Sequence, residues 1–379
     1  MLTLSPTEAR HLLLWGTGLA APAHPAGLDG ARAVLAERTC VQLDPIDRIG
    51  TNPDLVMWAR VDGLPRGRWS SVMPVGAFEH FAKERCLLPA SAFPAYRDQA
   101  VETPWWRLTA RLKRVDAGVL RDVLAEVAAR GPMPASALTD RGAVDPIDWS
   151  GWKSTGRMAS MAISVLWTRC QVVTAGRTAA GHRIYDIPSR ALPEHHDAPA
   201  PPEGFARWSI RQRAVAAGLL PRVSGPWWSM LRDARRAGVP SELVASGALV
   251  EARVTGARRT YLLPPALVER RGQAPPTDGR MRILGPLDPL LWSRDLVEQA
   301  FGFRYVWEVY KPAKQREWGY YVCPLLYRGR LAGRLEGIRR PEGGIEVTGL
   351  WRERGWNRAA SRALDEAVAR LSALQVRAS

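Results

Sequence analysis

Three features of the sequence predict an α+β chain of tandem winged-helix units closed by a C-terminal antiparallel β-rich domain. Three helices followed by a β-hairpin are expected over 117–188, the arrangement of a helix-turn-helix with an added wing. The pattern returns over 206–265, and the two hairpins share one order: strand, Gly, basic residues, Tyr, apolar residue, Pro. Such self-similarity marks an internal repeat. Beyond a Pro/Gly linker at 270–280 the composition turns aromatic-rich with strand periodicity. The expected division is 1–115 for an N-terminal winged-helix-like domain, 116–198 and 203–268 for a second and third unit, and 280–379 for the C-terminal domain.

Ser5-Pro6-Thr7-Glu8 opens the first helix, since Ser5 can cap and Pro6 suits a first turn. The helix runs to Leu14-Trp15 and ends at Gly16 and Gly18; a second is expected over 29–38. Residues 40–46 alternate as a short strand that Pro45 stops. Helices follow at 54–60 and 75–86, and a long amphipathic one at 92–115. The second unit reads as helix 117–130, short helix 134–140, helix 154–168 and hairpin strands at 170–176 and 182–188. The third reads as helices 206–217, 227–236 and 240–247, then hairpin strands at 248–256 and 258–265. The last domain carries β-rich segments at 303–312, 317–327, 329–336 and 345–350, with a closing helix over 357–374.

The chain of 379 residues carries 53 Lys and Arg against 37 Asp and Glu, a formal charge of +16. An excess of that size exceeds what solubility needs and suits a phosphate backbone, so a nucleic acid is the expected partner. Almost all of the positive charge is Arg; lysine occurs only at positions 83, 113, 153, 311 and 314. No apolar run reaches the length of a membrane span, and the N-terminus lacks the pattern of a signal peptide, so no membrane partner and a cytoplasmic location are expected. The four cysteines are far apart without a CxxC pair, so buried thiols are expected instead of a disulfide framework or zinc site. His195-His196-Asp197 lies beside a Pro-rich stretch and reads as loop. No metal, no cofactor and a monomer are expected.

Three stretches can carry chemistry or binding. In Gln42-Leu43-Asp44, residues two apart on a strand face the same way, which places an amide beside a carboxylate while Val41 and Leu43 pack inward. The amide can orient a water or sugar oxygen, and the carboxylate can take a proton or stabilise a developing cation. The same alternation occurs on any half-exposed strand, so the residues alone leave a structural role open. Residues 310–321 read as a hairpin whose basic tip, with Lys311, Lys314, Gln315 and Arg316 beside Trp318, can track phosphates or enter a groove. The loop around Trp149, Trp152, Lys153 and Arg157 precedes the third helix of a winged-helix unit, where Lys153 and Arg157 can meet phosphate and Ser154 can cap. Arg183, in the hairpin of that unit, is a further DNA-binding candidate. P-loop, GxSxG and HExxH motifs are absent, and no lysine is placed by its sequence neighbours for Schiff-base chemistry.

These residues resemble the bacterial DNA glycosylases of the AlkZ and YcaQ family over nearly the whole chain. The resemblance rests on Val41-Gln42-Leu43-Asp44-Pro45-Ile46, Arg85-Cys86-Leu87-Leu88-Pro89, Trp152-Lys153-Ser154 and Arg183-Ile184-Tyr185-Asp186-Ile187-Pro188. Its most specific block is Leu284-Gly285-Pro286-Leu287-Asp288-Pro289-Leu290-Leu291-Trp292, continued by Phe301-Gly302-Phe303, Tyr310-Lys311-Pro312-Ala313-Lys314 and Gly319-Tyr320-Tyr321-Val322-Cys323-Pro324-Leu325-Leu326. The resemblance implies a basic scaffold of tandem winged helices around a duplex, and excision of bulky alkylated purines, mainly N7-substituted guanines. The family motif is Gln-apolar-Gln in one branch and Gln-apolar-Asp in the YcaQ branch; Gln42-Leu43-Asp44 matches the latter, which is associated with unhooking of interstrand crosslinks. It makes Gln42 and Asp44 the expected catalytic pair of a monofunctional glycosylase, acting in housekeeping repair or in self-resistance to a DNA-damaging natural product. The competing expectation is a non-catalytic winged-helix regulator, with an RNA-binding factor as a more distant one.

Overall fold

A computed structural model of the protein describes residues 1–21, 24–100, 107–147 and 155–375. They form two compact units: one from the described parts of Met1–Trp69, Ala82–Cys86 and Ala206–Ser379, the other from Ser70–Phe81 and Leu87–Phe205. The expected 1–115 segment is therefore divided between them.

In the first unit, helix Pro6–Gly16 starts on a full capping box: Ser5 Oγ accepts from the Glu8 amide, and Glu8 Oε2 accepts from the Ser5 amide at 2.7 Å. Strand Leu2–Leu4 precedes it and pairs in parallel with Val250–Val254. The sheet runs Leu2–Leu4, Val250–Val254, Thr260–Leu263, Leu220–Pro221. Helix Phe205–Ala217, the 3-10 turn Pro226–Trp228 and helices Arg232–Arg236 and Val239–Ala245 lead into it. Gly16 meets Gly218 so closely that a Cβ on Gly16 would lie 2.8 Å from the Gly218 Cα, which requires glycine at this crossing. A second sheet is an antiparallel meander of Met281–Ile283, Val322–Tyr327, Arg330–Arg339 and Ile345–Arg352. Helix Arg358–Ala373 packs on it by its apolar face, capped at Asn357. Helix Arg294–Phe301 buries Leu296, Val297 and Ala300 in the core that also takes Tyr261 and Phe303.

The second unit has helix Ala117–Arg130, capped by Asp116, then strand Met133–Pro134, the 3-10 turn Ala135–Ala137, helix Met158–Thr168 and the hairpin Val173–Arg177 with Arg183–Asp186. Its strand order places the last strand between the other two. Leu220–Pro221, Thr260–Leu263 and Val250–Val254 of the first unit follow the same order. The hairpin repeat is thus also a repeat of strand connectivity.

Several expected elements differ. Residues 75–86 are two strands, Ala77–Ala82 and Glu84–Pro89, in place of a helix. All six residues of the first are buried. Its charged residue Glu79 is fully buried and accepts from Arg177 at 2.5 Å and Arg183 at 2.8 Å, which satisfies the carboxylate inside. The long helix at 92–115 is instead Phe93–Gln99 and Leu108–Leu112, the latter starting at the left-handed Arg107. Residues 134–140 give a short strand and a 3-10 turn, and 227–236 divides into a turn and a one-turn helix. Residues 303–312 form no strand: the meander already has its four strands, and this segment packs its aromatic residues, Phe303 and Tyr305, into the core. As the sequence predicts, all four cysteines are buried and free. Among the described residues, no helix is long and apolar enough to cross a membrane.

One buried ion pair joins distant parts of the first unit. Arg60 and Asp288, with fully buried side chains, meet through two hydrogen bonds of 2.8 and 3.0 Å. Arg60 also donates to the carbonyls of Thr17 and Val56, and Asp288 accepts from the Leu290 amide. Breaking such a pair leaves a buried charge unmatched. Asp288→Ala is therefore expected to destabilise the first unit by about 3–5 kcal/mol, read from chemical denaturation.

Candidate active site

The Gln-Leu-Asp motif sits in the first unit at the end of a very short strand, Val41–Gln42. Leu43 still donates its amide to the Arg85 carbonyl at 2.8 Å, so this edge is held by strand Glu84–Pro89. Beyond it the chain leaves the ladder. The sequence predicts that Gln42 and Asp44 share one face while Val41 and Leu43 pack inward. Val41 is buried, but Leu43 is only half-buried, and Asp44 lies past the strand, where its Oδ1 accepts from the Ile46 amide at 2.9 Å. Pro45, which cannot extend a ladder, is the local cause. Gln42 and Asp44 are both half-buried.

The segment that follows is fixed to the C-terminal sheet. Asp47 takes hydrogen bonds from Arg66 and Arg339, the Arg48 carbonyl accepts from the Arg339 amide, and Gln375 donates to the Ile49 carbonyl. Helix Asn52–Trp58 then returns toward the motif, started by Thr51 and Asp54. From its first turn, Asn52 Nδ2 donates to the Gln42 carbonyl at 2.8 Å. The motif backbone is thus held on one side by a strand and on the other by a buried amide.

Burial raises the Asp44 carboxyl above its ordinary value, against the opposing pull of the Ile46 amide. Asp44 in turn helps raise the neighbouring Tyr321 hydroxyl, whose main cause is its own burial. Gln42 Oε1 accepts from Lys83 Nζ at 2.7 Å. Lys83 is buried, lies 5.1 Å from the centre of the Trp292 ring, and has its pKa lowered to about 8, chiefly by burial. Lys83, which the sequence does not mark as a site residue, thus lies against the motif. Its setting depends on contacts 41 and 209 positions away, which no local pattern reveals.

The basic segment at 310–321 is not a hairpin tip between strands. It is an irregular loop with a 3-10 turn at Ala313–Gln315. Its centre is Glu308, a buried carboxylate that accepts from the backbone amides of Glu317, Trp318 and Gly319 and from Lys311 Nζ at 2.7 Å. Burial alone would raise this carboxyl; the four donors outweigh it and hold it at about 2. Lys314 and Gln315 are exposed at the turn. Arg316 donates to the Lys311 carbonyl and lies 4.9 Å from the Tyr320 ring centre. Trp318 packs edge-on against Trp351, with Arg334 over its ring. Tyr310, at the start of the segment, is 86% exposed and leans on Trp307.

The other expected contacts lie in the second unit. Arg183 is bound to Glu79 and lies 4.8 Å from the Trp167 ring centre, so its charge is spent inside the unit. Arg157 donates to the carbonyls of Ala135, Ser136 and Leu138. Lys153, with Trp149, Trp152 and Ser154, lies outside the described residues. Among the described residues, no cluster of His, Cys, Asp or Glu could hold a metal.

The family model of the AlkZ-like DNA glycosylases matches residues 35–374. Among solved structures, the chain is similar to the DNA glycosylase AlkZ of Streptomyces sahachiroi, with a TM-score of 0.61, 16% identity and 98% of each chain covered. At that identity the likeness concerns the fold.

Gly285 tests the backbone support of the motif. A Cβ there would lie 2.7 Å from Asn52 Oδ1 and 3.2 Å from the Leu55 Cβ. Asn52 cannot swing aside without losing the Gln42 carbonyl. Gly285→Ala is expected to destabilise the protein by about 1–3 kcal/mol, measured by denaturation.

Proposed function

The chain belongs to the AlkZ-like DNA glycosylase family, and we propose that it excises bulky N7-alkylated guanines from duplex DNA, including unhooking of interstrand crosslinks. The observation that supports this reading is a half-buried amide, Gln42, followed two residues on by a half-buried carboxylate of raised pKa, Asp44, on a backbone held from two sides. The Gln-Leu-Asp spelling favours the YcaQ branch.

Alkylation at N7 leaves guanine positively charged, so it departs without strong protonation. As the bond from the sugar C1′ to N9 breaks, its electron pair goes to the base and neutralises the charge. The sugar becomes oxocarbenium-like, and an adjacent carboxylate stabilises it. Water oxygen then bonds to C1′, and Asp44 takes the proton that the water releases. Gln42 positions that water or the sugar. Lys83 donates to Gln42 Oε1 and lies against the Trp292 ring. Monofunctional action is part of this proposal and follows from the family resemblance.

In this proposal the two units with matching strand order are winged-helix modules that grip duplex phosphates without reading sequence. The loop at 311–318 probes the minor groove near the lesion, where a bulky or crosslinked nucleotide cannot readily be rotated out of the stack. Lys314, exposed at the turn, is its clearest phosphate contact. The chain acts as a monomer in base excision repair, or in self-resistance to an alkylating natural product.

Duplex carrying N7-methylguanine or a nitrogen-mustard crosslink, treated with protein and then alkali, is expected to break at the abasic site; unbroken strands refute the proposal. Asp44→Asn is expected to lose about 10²–10⁴-fold in rate while still binding DNA. Because the Asp44 pKa is raised, the wild-type rate should fall on acidification at a pH above the ordinary carboxylate value of 3.8, a limb absent from Asp44→Asn. Lys314→Ala should reduce the slope of log K against log salt by about 1, read from binding titrations.

A further inference from the structure

Lys83 lies between strands Ala77–Ala82 and Glu84–Pro89 and is 6% exposed. Among the described residues no carboxylate forms an ion pair with it. Its ammonium donates to the Gln42 side-chain oxygen at 2.7 Å, and Trp292 covers it. Glu84, next to it in the chain, and the thiols of Cys86 and Cys40 favour its charge, Arg213 opposes it, and burial outweighs their support. An apolar side chain of the same length would fill this space more cheaply. The fold core does not need a charge here, yet the charge is aimed at one atom of the proposed site.

That aim has a chemical effect. A glutamine amide presents an acceptor on one side and two donors on the other, in nearly the same shape. Lysine ammonium has donors only, so it takes the oxygen and leaves Nε2 facing the other way. We infer that Lys83 is a positioning residue for the reaction proposed above: through its hydrogen bond to Gln42 Oε1 it fixes the amide so that Gln42 offers N–H donors to the sugar or the attacking water. The inference rests on the glycosylase reading of Gln42 and Asp44. It divides their labour: a water between them is held through its oxygen by Gln42 and relieved of its proton by Asp44. The depressed pKa of Lys83 makes the device sensitive to mild alkali, because deprotonation weakens the donor that sets the amide.

Lys83→Met removes the charge while filling the space, so the fold should persist, checked by an unchanged melting temperature. The single-turnover rate on duplex with N7-methylguanine should fall about 10- to 100-fold, the size typical of groups that orient another reacting group, with Kd for the duplex unchanged. The wild-type rate should fall as pH rises past about 8, and that limb should be missing from Lys83→Met. The double variant Gln42→Ala with Lys83→Met should be no slower than Gln42→Ala, because Lys83 acts only through Gln42. Losses that multiply, an unchanged rate in Lys83→Met, or a borohydride-trapped adduct between Lys83 and DNA would overturn the inference. If wild type releases no N7-methylguanine, the glycosylase reading fails instead. The contact can then be read without activity: in protein labelled with ¹⁵N-glutamine, the Gln42 side-chain amide should titrate near pH 8 in wild type and stay fixed in Lys83→Met, and an amide that does not titrate in wild type overturns the contact.

Discussion

The buried pair of Arg60 and Asp288 is the constraint on which the first unit is built. A guanidinium taken out of water must find partners for its donors, and Arg60 finds them on three segments that lie far apart in sequence. Thr17 follows the first helix, Val56 lies in the helix behind the motif, and Asp288 opens the turn that leads to Trp292. Trp292 lies over Lys83, and Asn52 of the same helix as Val56 holds the Gln42 backbone. The pair therefore fixes the distance between the two sets of groups that converge on Gln42. Its cost in desolvation is offset only when all of these partners are in place, which ties the geometry of the site to complete folding of the unit.

The site itself is economical. A two-residue strand presents Gln42, a proline ends the ladder, and Asp44 falls just beyond it. Rigidity comes from neighbours, not from the motif: the Arg85 carbonyl on one side, Asn52 on the other, and Asp47 clamped by two arginines below. Such a surround is what a preorganised site requires, since a displacement of about 1 Å costs reacting groups much of their effect. The large positive charge has a different role. In the proposed function the net excess of +16 is what holds phosphates, while arginines paired inside the protein, such as Arg177 and Arg183 on Glu79, take no part in it.

What the sequence makes readable follows from how local the signals are. The Ser5 capping box, the helix over Ala117–Arg130 and the closing helix Arg358–Ala373 each carry their cap and apolar stripe within a few residues, and they form where the pattern places them. The two hairpins are equally local, because Gly and basic residues mark their turns. Residues 75–86 mislead because their strands are set by tertiary contacts: Glu79, His80 and Lys83 are buried, with partners from distant parts of the chain. The Gln42 and Asp44 pair is visible in the sequence as a motif, but its meaning needs the family resemblance. Lys83, Asn52 and Glu308 are not visible at all, since a lysine, an asparagine and a glutamate each read as surface until a distant partner is known.

The loop gathered around Glu308 has a consequence for how such a protein can change over time. One carboxylate receives three consecutive main-chain amides, so the path of 317–319 is set by groups that every residue type other than proline carries. The side chains of Lys314 and Gln315 are exposed at the turn before it. Tip and anchor are thus separable: residues at the tip can be exchanged while the frame that holds 317–319 rests on Glu308 and an unbroken run of amides.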